Sequence, residues 1–306
     1  MKPNAIVRII LYSVLALALT GALVAGIGTN SFGFLVNFGG SGTTVEGEVP
    51  IDASLVKNIE IDWAAGSIKI QVADTDHITI CEIVPEDCKY WMAYALDDDT
   101  LSISYSKGTI GVGFGNWNIP SKDLMITVPK DWVCEDLEID GAALEIDIQD
   151  VRVGSFELDG ASCDVDLVGY VDKVDIDGAS TDIHITSFDP VSSVQIDGAS
   201  CELELTIPNG CGFLVELNGL NYGFHCDLDY SNLSGAYAYG NRHCVVNVDG
   251  ISCDVTIKEG PSCDHDWGPG MPVVDPNSGW QGMMYNCHHC GESTTDPTLE
   301  AKWPTE

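Results

Sequence analysis

One short phrase, a β-type run that stops at Asp-Gly or Asn-Gly and then resumes, occurs six times between residues 140 and 252. From one copy to the next the steps are 19, 18, 20, 21 and 31 residues. A near-constant step of this length is typical of stacked structural repeats, in which each unit shares its core with its neighbours. The turn dipeptides are Asp140-Gly141, Asp159-Gly160, Asp177-Gly178, Asp197-Gly198, Asn218-Gly219 and Asp249-Gly250.

The copy at residues 174–185 predicts how one unit folds. Glycine adopts positive φ without strain and aspartate tolerates the position before it, so we expect the chain to bend at Asp177-Gly178. The alternation predicts that each arm of the resulting V has one apolar, inward face. The inward residues are Val174 and Ile176 on the first arm, and Thr181, Ile183 and Ile185 on the second.

A single V-shaped unit cannot bury its apolar face, so the copies must stack. A β-solenoid and an antiparallel meander in a sandwich both meet this requirement. Similar turns followed by similar inward residues favour the solenoid. Residues 59–72 resemble a less regular copy, and the runs at 77–83, 101–105 and 124–128 also alternate like strands. The predicted fold class is therefore all-β, a β-solenoid of stacked short strands preceded by one N-terminal transmembrane helix.

The N-terminus predicts the compartment. An uncharged apolar run of 19 residues, Ile9 to Ile27, follows Lys2 and Arg8, and the next Lys or Arg is Lys57. This length is close to the roughly 20 residues that cross a bilayer as a helix, and the flanking charges place the short N-terminal end in the cytoplasm. An uncleaved signal-anchor and a cleaved secretory signal peptide both fit the pattern. We expect a single-pass protein of the cell membrane, with the bulk of the chain extracytoplasmic.

Composition divides the chain into four parts. Residues 1–28 are the anchor or signal segment, and residues 29–50 are a linker rich in Gly, Ser and Thr. Residues 51–260 carry the strand pattern and form the predicted solenoid domain. Residues 261–306 lose the strand pattern and form a flexible tail containing Pro, Gly and Trp.

The charge is strongly acidic, with 13 Lys and Arg against 47 Asp and Glu and a formal net charge of -34. Such a surface repels phosphate backbones, which argues against a nucleic-acid partner. In the solenoid, outward acids at equivalent positions of successive coils would form columns about one strand spacing apart. The columns could supply oxygen ligands for Ca²⁺, or could be a solvated face that prevents edge-to-edge aggregation.

The chain has 12 cysteines, and three of them, Cys163, Cys201 and Cys253, lie four residues after the Asp of a copy. By parity this position faces inward, where cysteine acts as a small buried apolar residue. In a regular stack the Thr181 coil separates Cys163 from Cys201 by roughly 10 Å, too far for a disulfide. Cys81 and Cys88 are close enough in sequence to form a disulfide across a hairpin in an oxidising exterior.

The tail contains a candidate zinc site. Its ligands would be Cys263, His265, Cys287 and Cys290, which include one Cys-x-x-Cys pair. A terminal disulfide and free thiols in a disordered tail are the competing interpretations. Apart from Zn²⁺ here and Ca²⁺ at the acidic columns, no cofactor is predicted.

Catalytic motifs are not evident in the sequence. It contains no Gly-x-Ser-x-Gly elbow, no His-Glu-x-x-His, no phosphate loop and no dinucleotide fingerprint. Carboxylate pairs of the kind used by glycosidases are the main enzymatic alternative, because acids are abundant. His184 is predicted to be an outward strand residue.

The chain resembles the bacterial putative adhesin domain family, long catalogued as a domain of unknown function. The resemblance rests on the N-terminal membrane segment, on the runs at 59–70, 101–104 and 124–129, and on the repeated Ile-Asp-Gly-Ala-Ser turns, and it covers about residues 51 to 260. It implies stacked short strands, an envelope location and adhesion, and it carries over no catalytic residue. The 31-residue step after Asn218 departs from the pattern and predicts an inserted loop in the last coil.

The predicted function is that of a membrane-anchored extracytoplasmic adhesin-like binding or scaffold protein, not an enzyme. Its partners would be the membrane, through the N-terminal helix, and a cell-surface protein or glycan. A polysaccharide-active solenoid enzyme and an envelope sensor of stress or cations are the alternatives.

Overall fold

The computed structural model describes residues 48–85, 91–106, 120–233 and 235–260, and the backbone of six strands outside these ranges. The predicted membrane segment at residues 1–28 lies outside the described residues. In the described part of the chain, no helix has the length and apolar character to cross a membrane.

The described residues are almost entirely β, which confirms the predicted class; their one helical element is a short 3-10 turn at Ala53–Leu55. The strands are β1 (Gly33–Asn37), β2 (Thr43–Thr44), β3 (Val49–Asp52), β4 (Asn58–Ala73), β5 (His77–Ile83), β6 (Ala93–Asp97), β7 (Thr100–Ser104), β8 (Thr109–Gly113), β9 (Lys122–Pro129), β10 (Val133–Ser187), β11 (Ser193–Ile207), β12 (Phe213–Cys226), β13 (Ser231–Leu233), β14 (Ala236–Tyr239), β15 (Cys244–Glu259), β16 (Met271–Val274), β17 (Gln281–Asn286) and β18 (Ser293–Thr294).

The repeats stack in parallel, as the solenoid requires. We number the V-shaped units as coils 1 to 7 in their spatial order. Coil 1 is β4, coils 2 to 4 are the three turns of β10, coil 5 is β11, coil 6 is β15 and coil 7 is β12. Equivalent residues are paired, so that Asp62 aligns with Asp140, and Asp177 aligns with Asp197.

The order of the last two coils differs from the order in the chain. After coil 5 the chain forms β12, then the β13–β14 hairpin, and only then β15, which lies between β11 and β12. The extra residues of the 31-residue step form this hairpin, which pairs with the first arm of coil 7. The predicted inserted loop is thus an added pair of strands at the end of the stack.

The faces of each arm follow the predicted alternation. Val174 and Ile176 are buried on the first arm of coil 4, and Thr181, Ile183 and Ile185 are buried on the second. One apolar core continues through the coils from Ile51 to Ile257. Burying these alternating side chains is the main stabilising term of such a stack.

The repeat glycines are needed for a different reason from the one predicted. The chain does bend at these glycines, but none of the six has positive φ, so the predicted backbone conformation is wrong. A Cβ at Gly198 would lie 2.8 Å from the carbonyl oxygen of Gly178, and one at Gly178 would lie 3.2 Å from that of Gly160. Glycine is required because the backbones of neighbouring coils come close together at the corner.

Candidate functional site: acidic columns on the outer face

The corner of the V carries a column of aspartates. Coils 1 to 6 place Asp62, Asp140, Asp159, Asp177, Asp197 and Asp249 there, and coil 7 places Asn218. Paired positions in neighbouring coils are separated by about 4.8 Å. The turn residues that the repeat predicted therefore come together as one continuous line along the stack.

Burial, with a further contribution from neighbouring carboxylates, raises the pKa values of three aspartates in this column. Partial burial and the neighbouring Asp140 carboxylate raise the pKa of Asp62 to about 6. Partial burial, followed by the carboxylates of Asp159 and Glu60, also raises the pKa of Asp140. At the other end, burial and Asp197 raise the pKa of Asp249, although a hydrogen bond with Asn218 opposes this effect. A cation bound at the corner would relieve this repulsion.

A second acidic column lies on the outer face of the first arms. Glu138 and Glu157, together with Glu60 and Asp136, line a depression of about 220 Å³. Burial is the main cause of the raised pKa of both Glu138 and Glu157, and neighbouring carboxylates add to it. The depression is thus a concentrated source of negative potential.

The outer face of the second arms forms a longer groove of about 770 Å³. A column of small residues lies along it, where Ser180 of coil 4 aligns with Ser200 of coil 5 and Ser252 of coil 6. A parallel column supplies the acids of the groove, which are Asp123, Glu145, Asp164, Asp182, Glu202 and Asp254. The groove combines hydroxyl groups with carboxylates and suits an extended, polar, positively charged chain.

Basic side chains pair with the acids near both ends of the stack. Lys69 of coil 1 donates to Asp147 at 2.7 Å, and Lys258 of coil 6 lies 2.5 Å from Glu204. Within the described residues, no group of three or more His, Cys, Asp or Glu side chains is arranged to hold a metal ion.

The inward cysteine position is buried, as predicted, with Cys163, Cys201 and Cys253 all 4–5% exposed. The structure also contains a disulfide between Cys201 and Cys253, whose Cα atoms are 4.6 Å apart. The sequence predicted a packing role for these cysteines and no disulfide between them, so this link corrects that expectation. Since β15 lies directly on β11, the two cysteines are cross-strand neighbours.

A buried ion pair closes the beginning of the stack. The ammonium group of Lys122 lies 2.8 Å from Glu82 Oε2, and both side chains are fully buried. It also lies 4.0 Å from the centroid of the Tyr105 ring and 4.7 Å from that of Trp63. The Trp63 indole N–H donates to the carbonyl oxygen of Lys122 at 3.0 Å. These contacts have a structural role, because the charged atoms have no access to solvent. They join β5, β9 and β4 at the beginning of the stack.

Sequence reasoning missed this ion pair, although a signal was present. Lys122 shares the inward parity of Leu124, Ile126 and Val128, and Glu82 shares that of Ile78 and Ile80. Two opposite charges at inward positions of strands that pair with each other predict a buried salt bridge.

Other predicted site residues have separate outcomes. His184 faces outward, as expected, with its side chain 48% exposed and 3.7 Å from Asp182. Cys81 is half-buried on β5, while Cys88 lies outside the described residues, so their disulfide stays a prediction. The candidate zinc ligands Cys263, His265, Cys287 and Cys290 also lie outside them.

The Toastrack DUF4097 family matches residues 44–216, which is more than half of the chain. The chain belongs to this family. The match spans coils 1 to 5 and the first arm of coil 7, so the Toastrack region contains most of the three acidic columns. This membership confirms the predicted resemblance to an adhesin-like family.

Three solved structures with similarity to this Toastrack chain have names that refer to adhesion. The one from Clostridium sporogenes ATCC 15579, a putative cell adhesion protein, is 12% identical with a TM-score of 0.44 and covers 71% of this chain and 100% of its own. A putative adhesin from Bacteroides fragilis NCTC 9343 is 13% identical, with a TM-score of 0.35 and coverages of 72% and 98%. A third, a putative adhesin from Parabacteroides distasonis ATCC 8503, is 10% identical, with a TM-score of 0.33 and the same coverages. No curated protein matches the chain.

Proposed function

We propose that this chain is a membrane-anchored, extracytoplasmic, adhesin-like binding protein that uses its acidic columns to hold a cationic partner. The observation that carries the proposal is the in-register alignment of carboxylates along both outer faces of the coils. A rigid stack holds these charges at fixed spacing, so a partner with regularly spaced positive charges meets many of them at once. The partner is a basic cell-surface protein or an amino-sugar glycan.

Three features support the anchored, outward-facing topology. The apolar run at residues 9–27 has spanning length, and its flanking charges favour a cytoplasmic N-terminus. The Cys201–Cys253 disulfide is of the kind that persists in oxidising compartments. Protease treatment of intact cells tests this topology, and degradation of the coils while the cytoplasm stays sealed is the expected result. A chain protected until the cells are lysed would contradict it.

Binding is tested with the full chain in lipid nanodiscs, using polylysine and a partly deacetylated amino-glycan as probes and polyglutamate and dextran as controls. We expect the two cationic probes to bind, with affinity that falls steeply as salt is raised. Equal binding of dextran, or binding that is insensitive to salt, would contradict the proposal.

A matched pair of variants locates the surface. The triple change Glu145→Gln, Asp182→Asn and Glu202→Gln removes three groove charges. The control triple Asp97→Asn, Asp131→Asn and Asp229→Asn removes three exposed acids from elsewhere on the molecule. We expect the groove triple to weaken polylysine binding at least tenfold, and the control triple to weaken it less than threefold. Equal effects would show that net charge alone drives binding.

A glycan-active enzyme is the second candidate, and the first-arm depression favours it. Glu138 and Glu157 have raised pKa values in a concave site, as an acid catalyst requires. Release of reducing ends from acidic, neutral and amino-glycans tests this function. Turnover that is lost in Glu138→Gln or Glu157→Gln would replace the binding proposal.

A cation sensor is the third candidate, because the corner column concentrates carboxylates with raised pKa values. A calcium-sensing role predicts a large rise in melting temperature in millimolar calcium, since a ligand that binds the folded state stabilises it. An unchanged melting temperature would exclude that role.

A further inference from the structure

The last coil of the stack leaves one strand edge uncovered. On one side β12 pairs with β15 from Phe213 to Cys226. On its other side, β14 pairs with β12 from Phe213 to Glu216 and no further. Among the described residues, none pairs with the rest of this outer edge, residues 217–226, which include the corner and the second arm. Backbone groups on such an edge are available to a further strand.

Apolar side chains are exposed at this edge. The outward corner position is Ala161, Ala179 and Ala199 in coils 3 to 5, but Ile251 in coil 6 and Leu220 in coil 7. Leu220 is 87% exposed and Ile251 38% exposed. Tyr222 takes the inward position that Cys253 occupies in the coil beneath it, and it is 45% exposed because no further coil follows in the described part of the chain.

An aromatic cluster holds the edge in place. The ring of Phe224 stacks on Tyr237, with centroids 4.2 Å apart, and meets the edge of Tyr230 at 5.1 Å. These contacts connect the uncovered second arm to the hairpin that covers the first arm. The edge is therefore preorganised, which lowers the entropy cost of pairing with another strand.

The acidic columns end before this edge. Gly223 aligns with Asp254, His225 with Thr256, and Asn218 with Asp249. Residues 217–226 contain no Asp or Glu, in a chain whose formal net charge is -34. The second arm of coil 7 therefore carries no acid, whereas Glu216 lies on the first arm and Asp227 and Asp229 follow Cys226.

We propose that this edge docks a second copy of the chain, with the two coil 7 arms paired antiparallel about a two-fold axis. Two copies of so acidic a protein repel each other over most of their surfaces, and the neutral edge is where they can meet. The edge offers a basic partner no charge, whereas a second copy supplies an equally neutral strand and the same exposed Leu220 and Tyr222. A two-fold contact of this kind is self-complementary and closes without forming a fibre.

The oligomeric state of the full chain, solubilised in a mild detergent, tests the proposal by sedimentation velocity over a hundredfold range of concentration. The informative variant is His225→Glu, which adds a negative charge to the exposed edge without changing the core. Its matched control is His184→Glu in coil 4, where the histidine is similarly exposed but lies within the stack. We expect a concentration-dependent dimer whose Kd rises at least tenfold in His225→Glu and stays the same in His184→Glu.

A second variant removes the apolar contact instead of adding charge. Leu220→Asn should also weaken the dimer at least tenfold, while its circular dichroism and melting temperature match those of the unchanged chain. A monomer at every concentration, or a dimer that neither variant weakens, would overturn the proposal. The second outcome would attribute association to another segment, such as the apolar run near the N-terminus.

Discussion

The two ends of the stack are built differently. Before coil 1, both arms are extended: β7 and β6 continue the first-arm sheet, and β9, β5 and β3 continue the second. After coil 7, β14 and β13 extend the first arm, and among the described residues the second arm has no further strand. The first end also contains the buried Lys122–Glu82 pair, whereas the last coil exposes Leu220.

This difference separates stability from association. A repeat stack needs both terminal faces covered to remain soluble, unless a partner covers one of them. The end before coil 1, here called the closed end, is covered by its own strands and contains the buried Lys122–Glu82 pair. The open end, which is coil 7, has a second arm without acids and leaves an edge that another chain can cover. Substitutions at the closed end should therefore change folding, and those at the open end should change oligomeric state.

The largest expected effect is at the closed end. Lys122→Met leaves the fully buried Glu82 carboxylate without its charge partner. We expect the free energy of unfolding to fall by about 3–5 kcal/mol, measured by urea denaturation. The double variant Lys122→Met with Glu82→Met should recover much of this loss. A loss below about 1 kcal/mol for Lys122→Met would show that the ion pair does not stabilise this end of the stack.

The disulfide should give the next largest effect. Cys253→Ser removes the link between coils 5 and 6, which spans 52 residues of sequence. We expect a loss of about 2–4 kcal/mol, and a fall in melting temperature on reduction that is smaller than in the unchanged chain. Cys163→Ser is the control, because it changes the equivalent inward position of coil 3 without breaking a link; its melting temperature should still fall on reduction.

A smaller effect is expected at the corner within the stack. Gly198→Ala places a Cβ 2.8 Å from the Gly178 carbonyl oxygen, so neighbouring coils must separate slightly. This crowding should cost about 1–3 kcal/mol. The adjacent Ala199 is exposed, and Ala199→Gly should cost about 1 kcal/mol or less. Equal costs would mean that the coils do not approach as closely as the structure indicates.

The smallest effect is the pH dependence of Asp62. Its pKa is raised to about 6, above the value near 4 of an unfolded aspartate, so the folded state binds more protons between these values. Stability from this group is therefore complete below about pH 4 and is lost as the pH rises through 6. The substitution Asp62→Asn should raise the melting temperature more at pH 7 than at pH 4.5. After allowance for partial exposure, the difference should correspond to about 1 kcal/mol. A greater stabilisation at pH 4.5 than at pH 7 would contradict the assignment.

The sequence predicted the coils well because local alternation determines them. Parity alone placed Ile176 and Ile183 inward and His184 outward. The spatial order of the coils could not be predicted, because a parallel ladder accepts either neighbour and the step from Asn218 to Asp249 says nothing about direction. The Cys201–Cys253 disulfide was missed for the same reason.

The acidic surface was predictable as composition but not as geometry. The count of acids indicated a negative face, and the repeat indicated columns. The raised pKa of Asp62 depends on its burial and on the distance to Asp140, which only the folded stack determines. The role of the repeat glycines could not be predicted either, because the close approach between coils is a property of the assembled structure.

Amide hydrogen exchange of the full chain at low and high protein concentration tests the contrast between the two ends most directly. We predict slow exchange in the strands around Lys122 at both concentrations. At the uncovered edge of coil 7, residues 217–226, exchange should be faster at low concentration and slow markedly as concentration rises. Equal protection of this arm at both concentrations, or protection at the coil 1 end that depends on concentration, would contradict the account.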